Sequence, residues 1–500
     1  MSRRKGSIKN FLWGITGTIV TSIIAVIIPR LFIVNYGSEI NGLLSSIRQI
    51  YVYLALLEAG VGSASLQALY KPIATGDKKS ANEILSATNY YYRRTGLLYF
   101  IGIILMGIIY PMFLNTTIPF YICFLVIVLQ GMGNVLNYLV TGKYVTLLNV
   151  DNKAYINNNC MTLVSVFTDI SRIILLLNGY NIVVIQSVYL FFNILKMIYI
   201  LYYMKKKYSW IDLKVVPNYQ AISQKNAVLV HQISGLIFNN TDVVILTFFC
   251  GLKFVSIYSI YASVYSIINN FISITSTSVQ SALGQIYNSD IKRFFKIQDI
   301  YETVFLSLVF SLFTVATILV LPFLSLYTSG ADINYIDKYL PILFTLFQLL
   351  NYGRTTSGQI ISFAGEFSST KFRAIIESVI NLTVSFICVF NCGIYGVLIG
   401  TIAALFYRAN DMILFANRRI LNRSAFPTYK RWGINFIIFV VCLLFFNNFS
   451  LDITSYFNFF GNAIWISMIV FSIYFIAMLF YENSVRIFLL DKFKALFFKI

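Results

Sequence analysis

The chain alternates long apolar stretches with short polar ones from its first residues to its last. A helix that crosses a bilayer needs roughly 20 apolar residues, and about fourteen stretches meet that need. They run over 11–34, 40–70, 88–113, 119–147, 159–177, 182–204, 226–249, 255–287, 300–327, 338–363, 374–391, 394–416, 434–449 and 461–481. Several exceed the bilayer's requirement and are expected to tilt or to project into water. The first run is long enough to span, so it is expected to stay as a helix rather than be cleaved as a signal peptide. The pattern predicts an all-α polytopic membrane protein with about 14 transmembrane helices.

Orientation follows from the cations, because Lys and Arg favour cytoplasmic loops. Segments 1–10, 71–83, 148–158, 205–225, 288–299, 364–373, 417–433 and 482–500, which alternate along the chain, hold 27 of the 38 Lys and Arg residues. The opposite segments hold two, Lys253 and Lys338. This asymmetry predicts an even number of spans with both termini inside. The last segment, SVRIFLLDKFKALFFKI, interleaves basic and large apolar residues and is expected to lie on the anionic inner surface as a basic amphipathic tail, 482–500. Neither loop set contains a folded soluble domain, so function is expected within the helix bundle or at its mouths.

The chain also repeats itself weakly. Lys9-Asn10 and Lys225-Asn226 open the first and seventh runs at an offset of 216, and Tyr70 and Tyr287 close the second and eighth at 217. Gly142 and Gly358 fall 216 apart, Gly179 and Gly393 214 apart. These anchors predict two pseudo-symmetric six-helix lobes, 1–204 and 226–416, joined by a cytoplasmic basic linker, 205–225, and followed by two C-terminal helices within 434–481. Six is even, so the copies share one orientation and a pseudo-twofold along the membrane normal.

Composition removes several classes of chemistry. The chain is 58% hydrophobic and 11% charged, against about 25% charged in soluble domains. Its net charge of +19 is spread through short loops, which speaks for topology rather than for a nucleic-acid partner. Six cysteines form no CxxC pair or Cys/His cluster, and the lone histidine, His231, has no triad partner. No GxxxxGK[ST] loop is present, which argues against direct ATP hydrolysis. Neither an enzyme nor a cofactor is expected.

Four segments carry a resemblance: KNFLWGITGTIVTSIIAVIIPRLFIVNYGSEINGLLSS, LLEAGVGSASLQALYKPIATGD, SGLIFNNTDVVILTFFCGLKFVSIYSIYASV and GQIISFAGEFSSTKFRAIIESVINLTVSFICVFNCGIYGVLIGT. With the six-plus-six-plus-two arrangement, they resemble the Wzx-type polysaccharide-exporting branch of the superfamily that joins multidrug, lipid-linked oligosaccharide and polysaccharide exporters. The resemblance implies a flippase in the bacterial cytoplasmic membrane. Its cargo would be an undecaprenyl-pyrophosphate-linked oligosaccharide, as used for capsule, O-antigen or exopolysaccharide, and a polysaccharide polymerase and other pathway enzymes would be its partners. A multidrug cation exporter of the same fold, a lipid II flippase and, less favoured, a membrane glycan polymerase are the alternatives.

Charged residues inside apolar runs are costly and therefore candidates for function. Nine Lys or Arg residues fall there. Arg93, Arg94, Lys143 and Arg408 lie near expected cytoplasmic ends, where they can snorkel; Lys196 is deeper but can still face an interface. Arg30, Arg48 and Arg354 are expected to line a cationic cavity for a diphosphate, because guanidinium groups make bidentate bonds to phosphate oxygens. The alternative for each is a structural pair with Glu58, Glu377 or a backbone carbonyl. Asp169 and Arg172, three residues apart, are expected to pair locally. Asp242, with Asn239 and Asn240, breaks the seventh run and is read as a contact for substrate or for a coupling ion, proton or sodium; the alternative is an inter-helix hydrogen bond or a pair with Arg30. Tyr258, Tyr261, Tyr265 and Asn269 share one helix face, read as a sugar-facing wall with ordinary packing as the alternative.

Overall fold

A computed structural model of the protein describes residues 27–58, 60–222, 240–449 and 453–488. Among the described residues the structure is helical and contains no strand. The protein is an all-α, multi-pass membrane protein. Ten helices are long and apolar enough to cross a bilayer. They are α4 (Lys78–Phe113), α5 with α6 (Phe120–Leu136 and Gly142–Val150), α7 (Ala154–Leu177), α8 (Ile182–Lys207), α10 (Leu252–Ser289), α11 (Ile291–Tyr327), α14 (Phe367–Cys392), α15 (Ile394–Leu414), α16 (Phe426–Asn447) and α17 (Tyr456–Tyr481).

The other four expected spans correspond to shorter pieces. α1 (Ile27–Tyr36) and α9 (Asn240–Phe249) are the described parts of the first and seventh; residues 11–26 and 226–239 lie outside the described residues. The second is broken into α2 (Ser38–Leu54) and α3 (Val61–Thr75), and the tenth into α12 (Leu340–Gly353) and α13 (Thr355–Phe363). The first break has a local cause. Gly60 sits at φ +92°, a left-handed conformation that a right-handed helix cannot contain and that costs other residues about 1–2 kcal/mol.

Helix starts follow their capping chemistry. Asp77 accepts from the Ser80 amide at 3.1 Å, Asn181 from Val183 at 2.9 Å and Asp290 from Arg293 at 3.0 Å, each satisfying an amide that has no partner within its own helix. α4, α10 and α11 have 36, 38 and 37 residues. At 1.5 Å per residue they reach about 54–57 Å, well beyond a hydrocarbon core of about 30 Å.

Packing divides the chain into two compact units, 1–259 with 331–333, and 260–330 with 334–500. In the first unit Phe32, Leu43, Ile47, Tyr99, Ile103 and Val126 form one apolar cluster, and Leu69, Leu85, Leu147, Leu148 and Ile200 another. The segment 208–222 also lies on this unit. Asn82 and Ser86 of α4 donate to the Trp210 and Leu213 carbonyls at 3.1 Å, and Ile222 is buried against Ala64 and Ala87. In the second unit Phe294, Leu283, Ile360, Phe415 and Ala416 form an apolar cluster. Beside them Arg431 bonds Glu302 at 2.5 Å, Asp299 at 3.1 Å and Glu482 at 3.1 Å. This buried junction ties α11 and α16 to the residue that follows α17.

Candidate functional site

The first unit contains a cavity of about 530 Å³. Four helices supply its polar wall, the first two at helical spacing. Arg48, Tyr51, Val52 and Ala55 lie on one face of α2 and its continuation, Gln130, Asn134 and Tyr138 recur every four residues along α5, and Arg172 and Tyr189 come from α7 and α8. The α5 face ends in a π-helical turn, Asn137–Thr141, and such turns in helices often mark functional sites.

The two guanidinium groups of this cavity differ in how they are held. Arg48 donates to the Ser45 hydroxyl at 3.1 Å and pairs with no carboxylate among the described residues. Arg172 lies 3.6 Å from Asp169, donates to Gln186 at 2.9 Å and sits over the Tyr189 ring at 5.7 Å. The local pair expected for Asp169 and Arg172 is therefore present. The Arg172 Nε and the Gln130 Oε1 are buried with no hydrogen-bond partner among the described residues, a donor and an acceptor on residues that line the same cavity. Glu58 also lines it, with its carboxylate accepting from the Gly62 amide at 2.9 Å and the Tyr92 hydroxyl at 3.0 Å.

Arg354 belongs to the second unit and lines a different cavity, of about 360 Å³, at the break between α12 and α13. It bonds Glu377 at 2.5 Å and Asn351 at 3.3 Å. Arg408 reaches Glu377 at 3.4 Å and Asp411 at 2.7 Å, and Arg373 holds Asp411 at 2.6 Å. Of the expected set Arg30, Arg48 and Arg354, Arg48 shares its cavity with Arg172. Arg354, in the second unit, is engaged in a network of three guanidinium groups and two carboxylates. Arg30 is half-buried on α1 and lines neither cavity.

Asp242 is 6% exposed on α9 and accepts from the Tyr258 hydroxyl at 2.9 Å, while its neighbour Thr241 bonds the Tyr53 hydroxyl at 2.8 Å. Asn240 opens α9 and is half-buried; Asn239 lies outside the described residues. The tyrosine face of α10 is used for packing, which corrects its reading as a sugar-facing wall. Tyr261 and Tyr265 are 0% exposed, their rings stack on Phe344, and their hydroxyls donate to the Tyr335 carbonyl at 3.0 Å and the Pro341 carbonyl at 2.9 Å. Tyr258 spends its hydroxyl on Asp242, and the Asn269 carbonyl accepts from Tyr352 at 3.2 Å.

Comparison with solved structures gives the fold a name. The lipid II flippase MurJ in an inward closed conformation matches at a TM-score of 0.73 and 14% identity, covering 95% of this chain and 100% of that one. An inward-facing multidrug resistance MATE family transporter of the MOP superfamily matches at 0.66 and 15%, covering 80% and 94%. A MOP superfamily transporter from Pyrococcus furiosus, described by the reverse polarity of its binding pocket, matches at 0.55 and 16%, covering 82% and 94%. The chain has the fold of the MOP superfamily transporters. No protein-family model and no curated protein sequence matches it.

Within that fold, the polar residues that sequence reasoning missed are Gln130, Asn134 and Tyr138. Their signal was present as a four-residue repeat of polar groups in an otherwise apolar run. The 216-residue offset expected from the sequence would carry Tyr138, in a π-helical turn, onto Arg354, at the break between α12 and α13.

Proposed function

We propose that this protein is a flippase that moves an undecaprenyl-pyrophosphate-linked oligosaccharide across the bacterial cytoplasmic membrane by alternating access, with both termini in the cytoplasm. The observation that carries the reading is the cavity of the first unit, where Arg48, bonded to Ser45, and Arg172, whose Nε has no hydrogen-bond partner among the described residues, line one space. A diphosphate supplies the acceptor oxygens that these groups lack. The sugar hydroxyls would meet Gln130, Asn134, Tyr138 and Glu58, which offer both donors and acceptors. The protein makes and breaks no covalent bond in this cycle. It requires no cofactor, and a proton or sodium gradient acting through Asp242 is its energy source. The polymerase and glycosyltransferases of the same pathway would be its partners.

A lipid II flippase differs from this reading only in cargo, and the fold match to MurJ supports it equally. A multidrug cation exporter is less well served, since a cavity for cations would be acidic, whereas two guanidinium groups and one carboxylate line this one. The fold tolerates such differences in polarity, as the Pyrococcus transporter's pocket of reverse polarity illustrates.

The deciding experiment is binding to the reconstituted protein of undecaprenyl-pyrophosphate glycans, lipid II and a panel of organic cations, with Arg48→Ala and Arg172→Ala alongside. Glycan-lipid binding lost in both variants supports the proposal. Preference for lipid II moves the cargo, and cation binding indifferent to both variants overturns the reading.

A further inference from the structure

The fifth and sixth helices of the two repeats are α7 with α8 and α14 with α15, and the two pairs differ sharply. In the second pair, Gly396 and Gly400 of α15 face Cys388 and Ser385 of α14 so closely that a Cβ on either glycine would lie within 2.4 Å of those residues. Small residues of this kind let membrane helices pack backbone to backbone. The buried cation of α15, Arg408, is matched by Glu377 and Asp411.

In the first pair, neither α7 nor α8 contains a glycine. Their large side chains leave a groove of about 540 Å³, walled by Leu163, Phe167, Phe192, Leu195 and Tyr199, with Lys196 as its one cation. Lys196 is 8% exposed and its ammonium approaches the Met161 sulfur at 3.1 Å. Among the described residues it pairs with no carboxylate. The other buried cations among the described residues are provided for: Lys143 bonds Asn89 at 2.7 Å, and Arg408 and Arg431 each have a carboxylate.

The depth of Lys196 indicates what completes it. α8 has 26 residues and ends in Lys205, Lys206 and Lys207. It is about 39 Å long at 1.5 Å per residue, so with Ile182 set at the outer edge of a hydrocarbon core of about 30 Å its basic end extends about 9 Å past the inner edge. The Lys196 Cα lies about 16 Å from that end, roughly 7 Å inside the core, and a lysine stem directs its ammonium back toward the headgroups. The cation therefore sits near the level of the phosphates of the cytoplasmic leaflet, above an apolar slot.

We propose that the groove between α7 and α8 is a binding site for one anionic phospholipid of the cytoplasmic leaflet, with its phosphate on Lys196 and an acyl chain along Leu163, Phe167 and Phe192. The charge complementarity of a lone ammonium over an apolar slot selects this occupant. The site is independent of the translocated cargo and requires only that α7 and α8 span the bilayer.

The test is native mass spectrometry of the full-length protein in mild detergent, titrated with phosphatidylglycerol, with phosphatidylcholine of the same acyl chains and with undecaprenyl phosphate. A juxtamembrane lysine contributes about 1 kcal/mol to anionic lipid binding, so Lys196→Met is expected to weaken phosphatidylglycerol binding about fivefold and leave phosphatidylcholine unchanged. Lys196→Arg is expected to retain the preference, and Val164→Trp, which fills the groove without changing charge, to abolish it. Equal binding of the two phospholipids, an unchanged titration in Lys196→Met or in Val164→Trp, tighter binding of undecaprenyl phosphate at this site, or a dimer that buries it each overturns the proposal.

Discussion

At the scale of single residues, the decisive property is which charges the fold satisfies and which it leaves to a ligand. Arg48 and Arg172 face a cavity, and a charge-assisted hydrogen bond is worth about 1.5–3 kcal/mol. Replacing either by Ala is therefore expected to weaken binding of a diphosphate-linked glycan by about 10- to 100-fold, as read by titration of the reconstituted protein. Arg431 is the opposite case, being surrounded by Glu302, Asp299 and Glu482. Removing one partner of a buried pair strands the other and costs about 3–5 kcal/mol. Arg431→Ala should lower the thermal unfolding temperature markedly, while Arg431→Lys, which keeps the charge, should recover part of the loss. These roles were only partly legible in the sequence. Deep cations announce themselves in an apolar run, but a run does not say whether a carboxylate from another helix will reach them, as Glu377 reaches Arg354.

At the scale of elements, the interruptions matter more than the spans. Each long helix was legible because apolar length is a one-dimensional property, and the ends of the ten long helices follow it within about ten residues. The breaks were not, since a run such as 40–70 is apolar throughout. Gly60 carries the first break through its backbone angle of +92°. Gly60→Ala should cost about 1–2 kcal/mol, measurable as reduced thermal stability with the helix content unchanged; an unaltered transition would show that the turn relaxes. The tyrosines of α10 teach a related lesson. Their spacing fixed that Tyr258, Tyr261 and Tyr265 share a face, but the neighbours of that face, Phe344 and Phe313 for Tyr265, come from distant segments.

At the scale of the whole molecule, the protein is a multi-pass helical membrane protein with a transporter fold, and its expected orientation is open to a direct test. In a cysteine-free background, Lys79→Cys should react with a membrane-impermeant thiol reagent only from the cytoplasmic side, and Ser329→Cys only from outside; the reverse pattern would invert the topology. Gradient coupling is tested at this scale too. Asp242→Asn is expected to abolish gradient-driven uptake of labelled lipid-linked oligosaccharide into inverted vesicles while leaving binding intact, and transport indifferent to both the substitution and gradient collapse would exclude coupling through Asp242. By itself, the sequence determined the class and the approximate spans, because hydrophobic length is a property of the chain's order and acts locally. Tertiary structure alone decided that Arg172 joins Arg48 in one cavity, that Glu377 and Asp411 occupy the arginines of the second unit, and that α7 and α8 leave a groove where α14 and α15 close one. Those outcomes depend on the distance between side chains from different helices, which packing sets and linear order does not.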